Sequence, residues 1–284
     1  MVLEWAMCEI YKRGMLLGLD YKNNVAFSLG PWRDDHTKKS VLYGTGQVVV
    51  WYLATDMATE SDAQNFTRFL SSDEFDRQQR MSCTKTKKTY ILAHAMKRFM
   101  LFYYFDDEPQ SWSFQKRAHG KPELCCPNPL NIRFNLTHTD GFAVVALTRE
   151  SNIGVDVERL GRKVNHHKLA SKKFSTIEYH NLLRADATNQ HEIFLRYWTL
   201  KEAYVKATGR GLTENLRQFY FSLNPPHVHF IRDNQNLLAS HWTFFQLKLC
   251  ENYIFAAGIH EAQRADAYFH IYPAPIDLMR CQTF

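Results

Sequence analysis

The sequence has no C-x-x-C pair among its six cysteines, and two of them, Cys125 and Cys126, are adjacent. That spacing suits neither a zinc knuckle nor a ready disulfide. No uncharged apolar run reaches the roughly 18 residues of a membrane-spanning helix. No block of five or six like charges suggests a nucleic-acid-binding tail. The opening MVLEWAMCEIYK carries Glu4 and too short an apolar stretch for a signal peptide. A Walker-type glycine-rich loop is also missing. These absences set the expectations: reduced thiols, a cytoplasmic setting, no membrane and no nucleic acid.

What is present is an ordinary globular composition. The 284 residues are 45% hydrophobic, 14% aromatic and 23% charged, enough to bury one large core or two modest ones. The net charge of +6 suits an anionic partner such as a nucleotide or an acidic protein.

Residues 1–46 read as an irregular extension with one or two short strands. Val48–Leu53 is a buried strand by its β-branched and aromatic content. Ser71 and Glu74 have capping-box spacing, and the apolar stripe Ile91, Leu92, Ala95, Phe99 and Phe102 predicts a long helix over 86–105. Strands are expected at 112–116, 132–137, 142–147, 153–157, 219–223, 228–231, 242–249 and 253–258, with Asp140-Gly141 as a hairpin turn. The basic stretch 159–173 reads as loop-rich. Ser175 and Glu178 form a second capping box, and a helix over 192–208 ends at Gly209. The last 20 or so residues read as a surface tail.

One echo runs through the chain. Leu70-Ser71-Ser72-Asp73-Glu74-Phe75 and Phe174-Ser175-Thr176-Ile177-Glu178-Tyr179 share the pattern apolar-Ser-Ser/Thr-x-Glu-aromatic at an offset of 104 residues. Each precedes an aromatic-rich helix. The pattern predicts two similar halves, 47–150 and 151–284, meeting at a cleft.

Two segments carry chemistry. In Gly154-Val155-Asp156-Val157-Glu158, strand alternation puts Asp156 and Glu158 on one face while Ile153, Val155 and Val157 enter the core. Neighbouring carboxylates repel unless a cation lies between them; a solvated polar face is the blander explanation. In Trp198-Thr199-Leu200-Lys201-Glu202-Ala203-Tyr204-Val205-Lys206, helical spacing aligns Trp198, Glu202 and Lys206. Glu202–Lys206 alone could be a surface ion pair. Taken together, Asp156, Glu158 and Glu202 offer the all-oxygen ligands that Mg²⁺ prefers, with Lys206 one turn further on.

G-V-D-V-E followed by W-T-L-K-E-A-Y-V-K closely resembles the signature motifs of the 4′-phosphopantetheinyl transferases. Gly120-Lys121-Pro122, the FNLTHT segment from Phe134 to Thr139, and Gly209-Arg210-Gly211-Leu212 resemble further segments of the larger surfactin-type class. The resemblance implies an α+β pseudo-dimer with coenzyme A and metal between its halves. It also implies transfer of phosphopantetheine to a serine of an acyl or peptidyl carrier protein, by a chain sufficient as a monomer. Asp156, Glu158 and Glu202 would ligate Mg²⁺, and Glu202 would take the serine proton, directly or through water. Lys206 would meet the pyrophosphate and the leaving group. Lys121 would line the nucleotide, Thr137 and His138 would meet its phosphates, and Arg77 (or Arg80, three residues on) would bind the 3′-phosphate. The basic stretch Arg159–Lys173 would dock an acidic carrier. The alternatives are another Mg²⁺-dependent nucleotide phosphotransferase or hydrolase, and a non-catalytic coenzyme A or carrier-binding module.

Overall fold

The computed structural model describes residues 16–20, 25–30, 42, 44, 46–116, 119–125, 130–231, 239, 241–260 and 267–282. Within them the chain is a mixed α+β fold. A six-stranded sheet runs in the order β1 (Leu16–Asp20), β2 (Val25–Leu29), β13 (Ala267–Pro273), β3 (Gln47–Ala54), β7 (Phe142–Arg149), β6 (Ile132–Thr139). A three-stranded antiparallel sheet follows the order β11 (Trp242–Leu249), β12 (Tyr253–His260), β8 (Asn152–Arg159). Two small hairpins are β4 (Phe114–Lys116) with β5 (Pro122–Leu124), and β9 (Phe219–Leu223) with β10 (Pro226–Phe230).

Side-chain alternation builds four layers from these sheets. Val49, Trp51 and Leu53 of β3 face the long helix α3 (Thr84–Phe105), reached through α1 (Glu60–Phe66) and α2 (Ser72–Gln79). Val48, Val50 and Tyr52 face the other way and meet Ile153, Val155 and Val157 of β8 in a core between the sheets. Phe244, Ile254 and Ala256 on the outer face of the small sheet pack against α6 (Gln190–Thr208). α4 (His166–Lys173) and α5 (Thr176–Arg184) lead into that helix.

The two halves share a strand plan. In β3–β7–β6 the first strand pairs with the last and the last with the middle one; β8–β12–β11 repeats that order. Each long helix lies between its first and middle strands, and each is preceded by a short helix with a complete Ser/Glu capping box, Ser71–Glu74 or Ser175–Glu178. The helix expected over 192–208 ends, as its glycine indicates, with Gly209 at φ 69°. Asp140-Gly141 turns β6 into β7 with Gly141 at φ 80°.

Three expectations change. The final segment is not a surface tail: β13 sits between β2 and β3 in parallel register, with Phe269 and Ile271 fully buried. The helix after it, α7 (Ile276–Cys281), buries Met279 against α1, where Arg280 donates to both carboxylate oxygens of Asp62. The basic stretch is not all loop, because Asn165 Oδ1 accepts from Lys168 N and starts α4. Trp112 lies outside a strand; its carbonyl accepts from Arg98. Most of the extension 1–46 lies outside the described residues, but β1 and β2 belong to the large sheet.

Candidate active site

β8 and β6 run side by side where the sheets meet, joined by side chains rather than by a backbone ladder. Val155 N donates to Asn135 Oδ1 at 2.8 Å, Thr137 Oγ1 to Asp156 Oδ1 at 3.3 Å, and Thr139 Oγ1 to Glu158 Oε2 at 3.4 Å. The other face of β8 carries Gly154, Asp156 and Glu158 toward α6. A Cβ on Gly154 would lie 2.0 Å from the Ala203 carbonyl oxygen and 2.3 Å from Ala207 N. Only glycine lets the helix approach this closely, and that approach brings Lys206 to the Asp156 carboxylate.

Lys206 Nζ donates to Asp156 Oδ1 at 2.6 Å, Thr137 Oγ1 at 2.9 Å and the Val155 carbonyl at 3.1 Å. Glu158 pairs with Arg162, four residues on in the turn beyond the strand. Asp156 Oδ2 is buried and accepts no hydrogen bond. Burial first, then the Asp156 charge, pushes the Glu158 carboxyl up to about 7. The same two causes, in that order, raise Glu202.

Thr137, His138, Asp156, Glu158, Arg162 and Lys206 line a cavity of about 540 Å³. His138 stands at its rim, its imidazole held below the ordinary value by desolvation and then by the Lys206 and Arg77 charges. Glu202 is half-buried beside this cavity rather than in its lining. Among the described residues no three His, Cys, Asp or Glu side chains are gathered closely enough to hold a metal ion. The carboxylates instead stand as two paired to internal cations and one left without a hydrogen bond.

The donor set nevertheless fits a hard divalent ion. A buried carboxylate oxygen without a partner is costly, and two neighbours whose ionisation is suppressed mark a site short of positive charge. A hard divalent cation would answer both deficits, because such cations take oxygen ligands.

The remaining predicted residues lie further out. Lys121 Nζ donates to the carbonyls of Ile153 (3.0 Å) and Ala207 (3.2 Å), so it ties the β5 approach to β8 and to the end of α6. Arg77 is exposed on α2, its guanidinium 5.6 Å from the centre of the Tyr90 ring. Arg80 is exposed at the end of the same helix. Sequence reasoning gave no role to Arg162 or Asn135, and valued Thr139 for its hydroxyl rather than for a bond to Glu158. Asn135 and Thr139 share the alternation of Thr137, and that spacing was the available signal. Arg162 was hidden in a stretch read only as a docking surface.

Residues 152–258, which include the strand and helix that carry Asp156, Glu158, Glu202 and Lys206, match the family model of the 4′-phosphopantetheinyl transferase superfamily. The chain is 28% identical to a putative 4′-phosphopantetheinyl transferase, slr0495, of Synechocystis sp. over 196 residues, which cover 69% of this chain and 78% of that protein. It is 29% identical over 214 residues to the 4′-phosphopantetheinyl transferase HetI of Nostoc sp., covering 75% and 87%. With the 4′-phosphopantetheinyl transferase Sfp of Bacillus subtilis the identity is 25% over 166 residues, covering 58% and 72%.

Proposed function

We propose that this chain, as a surfactin-type member, transfers the 4′-phosphopantetheine moiety of coenzyme A to a serine of an apo acyl or peptidyl carrier protein and releases 3′,5′-ADP. The observation that carries the reading is the buried, unpartnered Asp156 Oδ2 beside two carboxyls whose ionisation is suppressed, in a cavity that also holds Lys206, Thr137 and His138.

Asp156, Glu158 and Glu202 would hold Mg²⁺, which when bound neutralises charge developing on the pyrophosphate. Glu202 accepts the proton of the serine hydroxyl, directly or through water. Its raised pKa favours that role, because a base is most effective when its pKa approaches the working pH. The serine oxygen bonds to the β-phosphorus and the bond to the oxygen of the departing 3′,5′-ADP breaks. Lys206 offsets the charge left on that oxygen. Thr137 and His138 contact the phosphates, Arg77 the 3′-phosphate, and Lys121 the nucleotide while bracing β8 against α6.

The carrier would dock on the α4–α5 face. Lys172 and Lys173 close α4, and the exposed Ile177 and Leu183 of α5 offer apolar contacts beside them. Both halves of the cleft lie on one chain, so a monomer suffices; the shared strand plan supports a duplicated unit. Free thiols at Cys83, Cys125, Cys250 and Cys281 suit a reducing cytoplasm, and no helix among the described residues is long and apolar enough to cross a membrane.

The test is to incubate the protein with coenzyme A, Mg²⁺ and an apo carrier, and to follow the carrier by mass spectrometry. Addition of the phosphopantetheine arm is expected. Hydrolysis of coenzyme A with an unmodified carrier points to a hydrolase instead, and binding without turnover to a non-catalytic module. Reversing the charges of Lys168, Lys172 and Lys173 should raise KM for the carrier and leave that for coenzyme A unchanged. An unaltered carrier KM removes the docking face.

A further inference from the structure

The carboxylates of the cavity are not bare. Asp156 is held by Lys206 and Glu158 by Arg162, while Glu202 accepts no hydrogen bond among the described residues. Lys206 already has a task at the pyrophosphate. Arg162 has none, yet its guanidinium lines the same cavity and is about a third exposed, whereas the Glu158 side chain is 12% exposed. Arg162 holds one oxygen of that carboxylate and Thr139 donates to the other, so a divalent ion that takes Glu158 competes with the guanidinium for it. The ion therefore sets Arg162 free at the cavity wall, facing the space that an anionic substrate would fill.

We propose that Arg162 is an exchangeable counterion: it occupies Glu158 in the metal-free protein and turns to a phosphate of coenzyme A once a divalent ion takes the carboxylate. This rests on the proposed function and adds to it a positioning residue that links metal and substrate. The coupling is reciprocal, because whatever metal binding does for coenzyme A affinity through Arg162, coenzyme A does for the metal. Arg162 also offsets the charge of Glu158 in the empty site, where the Asp156 carboxylate acts on it.

Removing a positive charge near a metal site favours metal and disfavours anions in any case. The test must separate exchange from that general effect. Lys163 is the control, since it lines the same cavity but has no pairing with Glu158. Titrate Mn²⁺ alone, as a probe of the magnesium site, into the wild-type protein, Arg162→Met, Arg162→Lys and Lys163→Met, and measure binding by calorimetry. Then measure coenzyme A binding with saturating Mg²⁺ and with EDTA.

The expected result is Mn²⁺ binding about two- to fivefold tighter in Arg162→Met, the range of a partly exposed ion pair. Coenzyme A should bind that variant more weakly by a similar factor with Mg²⁺ and lose clearly less with EDTA, where the wild-type arginine is already engaged. Arg162→Lys should restore most of the wild-type behaviour, and Lys163→Met should change Mn²⁺ affinity by clearly less than Arg162→Met does. Equal Mn²⁺ affinity in wild type and Arg162→Met overturns the exchange and leaves the metal site standing. So does a loss of coenzyme A affinity that is the same with and without metal, or an equal effect of Lys163→Met. A wild-type protein that binds no Mn²⁺ overturns the metal reading and the exchange together.

Discussion

The molecule contains two kinds of buried carboxylate, and they differ in how completely they are satisfied. Glu74 accepts from the Ser71 amide (3.1 Å), His94 (3.0 Å), Lys97 (2.6 Å) and Arg98 (2.5 Å). Glu178 accepts from the amide of Ser175 (3.0 Å) and its hydroxyl (2.9 Å), the Phe221 amide (3.0 Å) and Lys201 (2.9 Å). Glu178 and Lys201 stand 104 residues beyond Glu74 and Lys97, so the duplicated capping box extends to a duplicated ion pair. At the cavity, Asp156 has one oxygen with no partner, and Glu158 and Glu202 resist ionisation. A saturated carboxylate fixes a fold; an unsaturated one is available to bind an ion or a proton.

The largest effect should come from making an unsaturated carboxylate neutral. Glu202→Gln keeps the shape of the side chain and removes its capacity to take a proton. Transfer to the carrier should fall by about a hundred- to ten-thousandfold, the usual worth of a general base, with the melting temperature unchanged or slightly higher. Near-normal turnover in that variant would contradict the role given to Glu202 and erase the contrast between the two groups.

The same change of charge at a saturated site should act on stability instead. Lys201 is fully buried, donates to Glu178 and to the carbonyls of Leu216 (2.6 Å) and Phe219 (2.8 Å), and lies 4.2 Å from the Phe219 ring centre. Lys201→Met leaves the buried Glu178 carboxylate without its cation and takes a donor from two carbonyls. Urea unfolding should show a loss of about 3–5 kcal/mol. A loss below about 1 kcal/mol would mean that the pair is not what holds α5 to α6 and β9.

Much of this was legible in the sequence, because it depends on local spacing. The Ser/Glu boxes announce themselves over four residues, and strand alternation alone put Asp156 and Glu158 on one face with Ile153, Val155 and Val157 in the core. The failures are non-local. β13 pairs with β2, more than 200 residues earlier in the chain, and no local signal names such a partner. Its alternation of Ala267, Phe269 and Ile271 with Tyr268, His270 and Tyr272 was visible, but the histidine and the terminal position obscured it. Lys121 could be read as a nucleotide contact from its motif. Its bonds to the carbonyls of Ile153 and Ala207 exist only after β8 and α6 have come together.

The smallest effect, and the sharpest contrast, is one of sign. In the saturated group, burial holds the His94 imidazole down to about 4 against an ordinary 6.5. Its stabilising contribution is present above pH 6.5 and is lost as pH falls through about 4. At the cavity, Glu158 is raised from 4.5 to about 7, so its contribution is fully present below pH 4.5 and is lost as pH rises through 7. Acid should therefore weaken the first cluster and relieve the second. Glu158→Gln removes the alkaline loss together with the Arg162 pairing. With EDTA present, that variant should be more stable than wild type by about 1–2 kcal/mol at pH 8, and the gap should close toward pH 4.5. Urea titrations across that range measure it. Mg²⁺ at pH 8 should narrow the gap from the other side, by stabilising only the protein that keeps the carboxylate. Parallel curves for the two proteins would mean that Glu158 is as well satisfied as Glu74, and the distinction between binding and structural carboxylates would not hold at that residue.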